Sequence, residues 1–225
     1  MNIITWNSQG YKPEQIDSIL DLKSIDVLCV QEAGSGPPFA QNLKMVGIGD
    51  RICLLTGKYN ENYYRIDWDN DLGKGQNGRC SIMIFIKEEI FDKCTLFACH
   101  ATYDGKTQYG LRPLIGFVYN SDLISTTHCP STSNRYPKVI RNNFVNMILS
   151  NWNSDWQMVG DFNYSASEPD QDLPAEATIL YVPHEQAQKS GGELDYMVKK
   201  SNGAIFCAQV GDYMGSDHKV VFFTQ

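Results

Sequence analysis

The sequence predicts an α/β protein of the α+β kind, in which strands outnumber helices and residues 1–225 form one domain. Three observations carry this. Short runs rich in β-branched and aromatic residues recur along the chain, each bounded by Gly, Asn, Asp or Pro. Two stretches repeat apolar residues at helical spacing, and a proline stands near the start of each. The apolar pattern continues to the last residues without an internal repeat, a low-complexity tract or an interdomain linker.

From the amino end, the strand-like runs are "IITWN", "VLCVQ", "RICLL", "YYRIDW", "SIMIFI" and "TLFAC". They continue with "LIGFVY", "LISTTH", "WQMVG", "TILYV", "LDYMV", "AIFCAQV" and "KVVFFT". The first helix, "KPEQIDSILDLK", has Pro13 near its start and sets Ile16, Ile19 and Leu20 on one face. The second, "YPKVIRNNFVNMILSNW", opens at Pro137 and places Ile140, Phe144 and Ile148 at i, i+4 and i+8. The segments "AGSGPP", "DNDLGKGQNG" and "SASEPDQDLPAE" read as loops.

Composition excludes some classes. No apolar stretch approaches the ~20 residues that span a bilayer. The amino end, "MNIITWN", has no basic start followed by an apolar run and small residues, so no signal peptide is read there. The expectation is a soluble protein, cytoplasmic as written or secreted if a leader has been removed. Seven cysteines include no Cys-x-x-Cys pair, and Cys29, Cys80 and Cys99 lie in or beside apolar runs, which predicts reduced core packing. The formal net charge is −7. Binding to a phosphate backbone depends on cationic neutralisation, so a nucleic-acid partner requires a local basic patch or metal ions.

Polar side chains sit where apolar strands end. Asn7 ends "IITW", Gln31 and Glu32 end "VLCV", and His128 ends "LISTT". Asp195 lies inside "GGELDYMV", and Asp217 with His218 precedes "KVVFF". In "WQMVGDFNYS" the strand runs out into Asp161, Phe162 and Asn163; alternation of faces aims Asp161 and Asn163 one way and Phe162 the other. One such acid after a glycine is an ordinary turn residue. Six cases together describe a scaffold projecting polar groups from strand ends into one cleft.

The residue types narrow the chemistry. Glu32, Asp161, Asp217, Asn7 and Asn163 supply hard oxygens suited to Mg²⁺. The histidines lack His-Glu-x-x-His spacing, "AGSGPP" lacks the Lys-Ser/Thr of a P-loop, and no Gly-x-Ser-x-Gly elbow is present. Carboxylates, amides and two histidines, with no thiolate or seryl nucleophile, fit direct attack of water on a phosphoester.

In order, "TWNSQG", "VLCVQEAG", "GLRPLIGF", "TTHCPS", "MVGDFNYS", "GGELDYMV" and "GSDHKVVF" resemble the endonuclease/exonuclease/phosphatase superfamily over nearly the full length. Within it, the chain resembles most the catalytic B subunits of cytolethal distending toxins. The resemblance implies a DNase I-like four-layer sandwich, two packed and mainly antiparallel β-sheets flanked by helices. It implies an Mg²⁺-dependent phosphodiesterase, with Mn²⁺ or Ca²⁺ as supporting ions, acting as an endonuclease on DNA in a host-cell nucleus. Delivery or binding subunits are the partners that toxin relatives use.

Carried over residue by residue, the resemblance makes Glu32 the main metal ligand, with Asn7 and Asp217 assisting. Asp161 and Asn163 would orient the attacking water and hold the scissile phosphate. His218, paired with Asp195, and His128 would face each other across the phosphate, with base and acid left unassigned. Arg112 in "GLRPLIGF" matches a phosphate-contacting arginine, and Arg79 in "NGRCSIM" is placed beside it. Arg135, Lys138 and Arg141 recur every third residue across the start of the second helix. That row is either a solvated helix face or a DNA-backbone contact, in which Arg141 would bind phosphate. The segment from Asp67 to Gln76 offers no recognisable acid to orient His128. Two other functions fit the pattern: a phosphoinositide phosphatase on the same fold, and a catalytically silent binding module.

Overall fold

The computed structural model describes residues 1–22, 24–34, 44–47, 52–68, 81–103, 106–107, 112–131, 136–183, 185, 187–189 and 191–225; for 44–47, 53, 102–103 and 106–107 it describes the backbone alone. In chain order the elements are β1 (Ile3–Asn7), α1 (Pro13–Leu20), β2 (Val27–Gln31), β3 (Lys44–Gly47), β4 (Cys53–Lys58), β5 (Tyr63–Trp68), β6 (Ile82–Lys87), α2 (Glu88–Phe91) and β7 (Thr95–Cys99). They continue as β8 (Thr102–Tyr103), β9 (Lys106–Thr107), β10 (Leu114–Tyr119), β11 (Asp122–His128), α3 (Tyr136–Asn151), β12 (Trp156–Asp161), β13 (Ala177–Leu180), β14 (Asp195–Lys200), β15 (Cys207–Val210) and β16 (Val221–Thr224). Each strand-like run of the sequence falls on a strand, and both proline-opened stretches are helices. The elements that the sequence pattern does not announce are β3, the two-residue strands β8 and β9, and the one-turn α2, all too short to show a period.

Eight strands form one sheet in the order β15-β16-β1-β2-β6-β5-β4-β3, and six form a second in the order β13-β14-β12-β11-β10-β7. Each sheet contains one parallel pair, β1 with β2 and β11 with β12, and the other ladders are antiparallel. A parallel pair needs a crossover. Here α1 makes the first crossover and α3 the second.

Three apolar layers follow from side-chain parity. On β1 and β2, Ile3, Val27 and Cys29 pack inward against Ile124, Val159 and Met197 of the other sheet. Ile4, Trp6, Leu28 and Val30 turn outward onto Ile16, Ile19 and Leu20 of α1. Trp156, Met158 and Tyr196 turn outward from the second sheet onto Ile140, Phe144 and Ile148 of α3. Strands buried on both faces read as continuous apolar runs, as these do. The result is helix, sheet, sheet, helix: the DNase I-like sandwich. No helix among the described residues is long and apolar enough to cross a membrane.

Gly160 is a fixed point of this packing. Its φ is +152°, and a Cβ there would meet the Thr127 carbonyl oxygen at 2.1 Å, so glycine is what lets β12 lie this close to the end of β11.

Candidate active site

Parity also decides where the polar residues go. Thr5, Gln31 and Thr126 are inward positions at which the apolar filling gives way. Thr5 Oγ1 donates to Gln31 Oε1 at 3.2 Å, and Gln31 Nε2 donates across the sandwich to Thr126 Oγ1 at 2.9 Å. One inward position further along lie Asn7, His128 and Asp161. Asp161 is paired with His128 on β11 and with Asp195 on β14, so His128, Asp161 and Asp195 form one row across three neighbouring strands. Asn7 Nδ2 donates to Asp161 Oδ2 at 2.9 Å, joining the two sheets at this end.

His218 arrives from the segment that leads into β16. Its Nδ1 lies 2.6 Å from Asp195 Oδ2. Its Nε2 lies 3.9 Å from Asp161 Oδ2 and 3.7 Å from Asp217 Oδ1. The backbone beneath it is tied down: Ser216 Oγ donates to the Asn7 carbonyl at 2.6 Å and accepts from the His218 N–H at 3.1 Å. Trp6 Nε1 donates to the His218 carbonyl at 3.3 Å. On the other side, His128 Nε2 lies 3.5 Å from Asp161 Oδ2 and 3.7 Å from Glu32 Oε1. His128 Nδ1 is buried and has no hydrogen-bond partner among the described residues. Asp67 does not supply one: it is buried on β5, paired with Arg65 at 2.9 Å.

The electrostatics set the two histidines apart. Burial and the charges of Arg112 and His218 hold His128 well below its ordinary range. Burial would lower His218 as well, but its hydrogen bond to Asp195 and the charges of Asp195, Asp161 and Asp217 outweigh it and raise the imidazole to about 9. Burial, then the opposing Asp195, pushes Asp161 up to about 6. Burial raises Glu32 too, with Asp161 adding to it and Arg112 and the Asn7 amide opposing.

A stability prediction arises here. A pKa raised from 6.5 to about 9 on folding contributes stability that is fully present below about 6.5 and is lost as pH rises through about 9. Thermal unfolding should therefore shift to lower temperature across that window, and His218→Gln should flatten the dependence. An equal slope in wild type and variant would refute it.

Backbone conformation marks the same region. Gln9, Glu32, Asn163 and Met214 are non-glycine residues with φ between +47° and +52°. Such conformations cost energy and cluster at functional sites. At Asn163 this corrects the expected alternation: the strand ends at Asp161 and the chain turns left-handed. Asn163 N–H donates to Asp161 Oδ1 at 2.9 Å, and its side-chain Nδ2 donates to the Cys129 carbonyl at 2.8 Å. Phe162 points into the core beneath, stacked on Tyr196 with ring centroids 4.3 Å apart.

Asn7, Glu32, His128, Asp161, Asn163, Asp195, Asp217 and His218 are thus brought together. Arg112 joins them: its Nη1 donates to the carbonyls of His128 at 3.4 Å and Cys129 at 3.3 Å. Arg141 does not. It is wholly buried beneath the second sheet, bonded to Asp170, to Asn142 and to Tyr196 Oη at 2.6 Å, and cannot present its guanidinium to a phosphate. Lys138 is likewise engaged, with Asp170 at 3.0 Å and Asp172 at 2.9 Å. Arg79 and Arg135 lie outside the described residues. Lys12 was not anticipated by the sequence pattern. It donates to the Ser8 carbonyl and lies close enough to Asp217 and Glu32 to interact with both charges. Its only signal is a cation placed just before the proline that opens α1. Cys29, Cys94, Cys99, Cys129 and Cys207 are free thiols.

The sandwich and the groups converging at its end fit one class of protein, hydrolases acting on phosphodiester bonds. The chain belongs to the Endonuclease/Exonuclease/phosphatase family, whose model matches residues 4–218. None of the curated protein sequences matches it. Among solved structures, a chain of the Haemophilus ducreyi cytolethal distending toxin is 22% identical, covering 100% of this chain and 97% of that one, with a TM-score of 0.73. CdtB, the biologically active subunit of cytolethal distending toxin, is 20% identical, with 100% and 97% covered and a TM-score of 0.75. A 3'-5' exonuclease from Neisseria meningitidis is 14% identical, with 100% of both chains covered and a TM-score of 0.60.

Proposed function

We propose that the protein is an Mg²⁺-dependent phosphodiesterase that cuts DNA as an endonuclease, by attack of water on a backbone phosphate. The observation that carries this reading is the pair of histidines flanking Asp161, His128 Nε2 at 3.5 Å and His218 Nε2 at 3.9 Å from its Oδ2, with Glu32 beside the first and Asp195 bonded to the second. The names of the similar structures, toxin and exonuclease, support the same chemistry.

Glu32, with Asn7 and Asp217, would hold the Mg²⁺. These are hard oxygens, and Asp217 Oδ1 is buried without a hydrogen-bond partner among the described residues. Asp161, Asp195 and His218 also offer ligand atoms within 4.8 Å of one another. A protonated His218 has no lone pair to give, so that group serves as a charge pair rather than a cage. A bound ion supplies positive charge for the oxyanion developing on phosphorus.

The chain's own side chains do the rest. One of the two histidines would take the proton of the attacking water, which Asp161 and Asn163 orient, and the other would give one to the leaving oxygen; Asp195 holds the His218 ring in place through Nδ1. Arg112 supplies the cation for the phosphate at the edge shared with Asn163. Arg112→Ala should raise the KM for DNA and flatten its dependence on salt by about one unit of slope; an unchanged slope would place this arginine outside the interface.

The test is plasmid nicking with Mg²⁺ and with EDTA, run beside phosphate release from a phosphoinositide. Nicking that EDTA abolishes and Mg²⁺ restores is expected. Lipid turnover without nicking, or activity indifferent to EDTA, would overturn the reading.

A further inference from the structure

The chain carries a net charge of −7, yet two cations gather beside the site around one tyrosine. Lys189 Nζ lies 5.0 Å from the Tyr213 ring centroid and Lys219 Nζ lies 5.3 Å from it, so the two ammonium groups are within about 10 Å of each other. Neither pairs with a carboxylate among the described residues, whereas Lys58, Lys87 and Lys138 all do. Lys189 is exposed, and Lys219 and Tyr213 are half-buried.

Their backbones are locked to the site. Gln188 and His218 form an antiparallel bridge; Lys189 N–H donates to the Asp217 carbonyl at 2.8 Å and Lys219 N–H donates to the Ala187 carbonyl at 2.6 Å. The bridge sets the Lys189 backbone against that of Asp217, and Lys219 follows His218 directly, so both lysines rise from the backbone that carries the site. The Tyr213 loop folds back over the Lys219 segment, with Gly211 N–H donating to the Val220 carbonyl and Val220 N–H to the Asp212 carbonyl. Two like charges held beside one ring repel, and an anion drawn to them relieves that repulsion. An aromatic face steadies each ammonium without neutralising it.

Building on the nuclease reading, we infer that Lys189, Lys219 and Tyr213 form a second phosphate site, which grips the substrate strand one or two nucleotides from the scissile phosphate. Its ligand is a flanking phosphate of a nucleic-acid strand. A diester lacking such a phosphate has nothing to place there. The site makes the enzyme prefer polymer over small diesters, and it supplies the local cations that an acidic protein needs at a polyanion.

The experiment compares wild type with the Lys189→Ala/Lys219→Ala double variant on supercoiled plasmid and on bis(4-nitrophenyl) phosphate, with kcat/KM on plasmid measured from low to moderate salt. The variant should lose roughly tenfold more on plasmid than on the small diester, and its salt slope should shrink by about 2. A Lys189→Arg/Lys219→Arg variant should restore both. Equal losses on the two substrates, or a plasmid slope identical to wild type, would overturn the second site while leaving the nuclease reading intact. Wild-type protein that hydrolyses the small diester but neither nicks nor binds DNA would remove the DNA assignment itself, and the second site with it.

Discussion

Replacing His218 with alanine is expected to slow plasmid nicking by about 10²–10⁴-fold, the range for loss of one positioned proton transfer. The imidazole is clamped at 2.6 Å from Asp195, and its Nε2 faces Asp161 at 3.9 Å, so no neighbouring side chain can take its place. Without it, Asp195 stays buried opposite Asp161 and takes up a proton to relieve the repulsion, which removes the charge that orients the site. The core between the sheets is untouched, and circular dichroism should show a folded variant. His218→Gln keeps a hydrogen-bond donor for Asp195 but no transferable proton, and should be nearly as slow. Near-wild-type nicking by either folded variant would remove His218 from the mechanism.

The second large effect falls on stability. Arg141→Ala is expected to destabilise the fold by about 3 kcal/mol, since truncating one member of a buried ionic network strands the others. Tyr196 Oη loses its donor, and Asp170, its side chain almost fully buried, loses its guanidinium partner and keeps Lys138, the Asn142 amide and the Asp172 N–H. For a chain of this length the melting temperature should drop by roughly 6–12 °C. Nicking by the protein still folded at low temperature should keep the wild-type salt slope. A stable Arg141→Ala protein with a flattened slope would reinstate a phosphate contact for this residue.

Arg141 shows where reading the sequence reaches its limit. Cations at every third residue of a helix look the same whether they face water, DNA or a buried acid. The acid that decides here, Asp170, lies 29 residues away in a loop. Strand periodicity, by contrast, is local, and the fold class was legible from it. So were Asn7, Glu32, His128, Asp161 and Asp195 as polar ends of apolar runs. Their convergence was not, because it depends on register: which residue of β11 faces which residue of β12, and which sheet end Asn7 meets. Asn163 sits beside its anticipated neighbours through a left-handed turn that strand alternation does not foresee. Lys189 and Lys219 carry no local pattern at all, and acquire meaning only from the folded loop around them.

Each parallel strand pair has a consequence of its own. Both crossover helices run opposite to the strands they connect: the far end of α1 is anchored where Tyr63 Oη donates to the Leu20 carbonyl, and that of α3 where Trp152 Nε1 donates to the Ser121 carbonyl, at the start of β11. Their first turns therefore lie at the reactive end of the sandwich. The aligned peptide dipoles of a helix place the equivalent of about half a positive charge at that terminus. A chain rich in acids thus turns the electropositive poles of these two helices toward that end of the sandwich, a positive field written into connectivity rather than into any side chain.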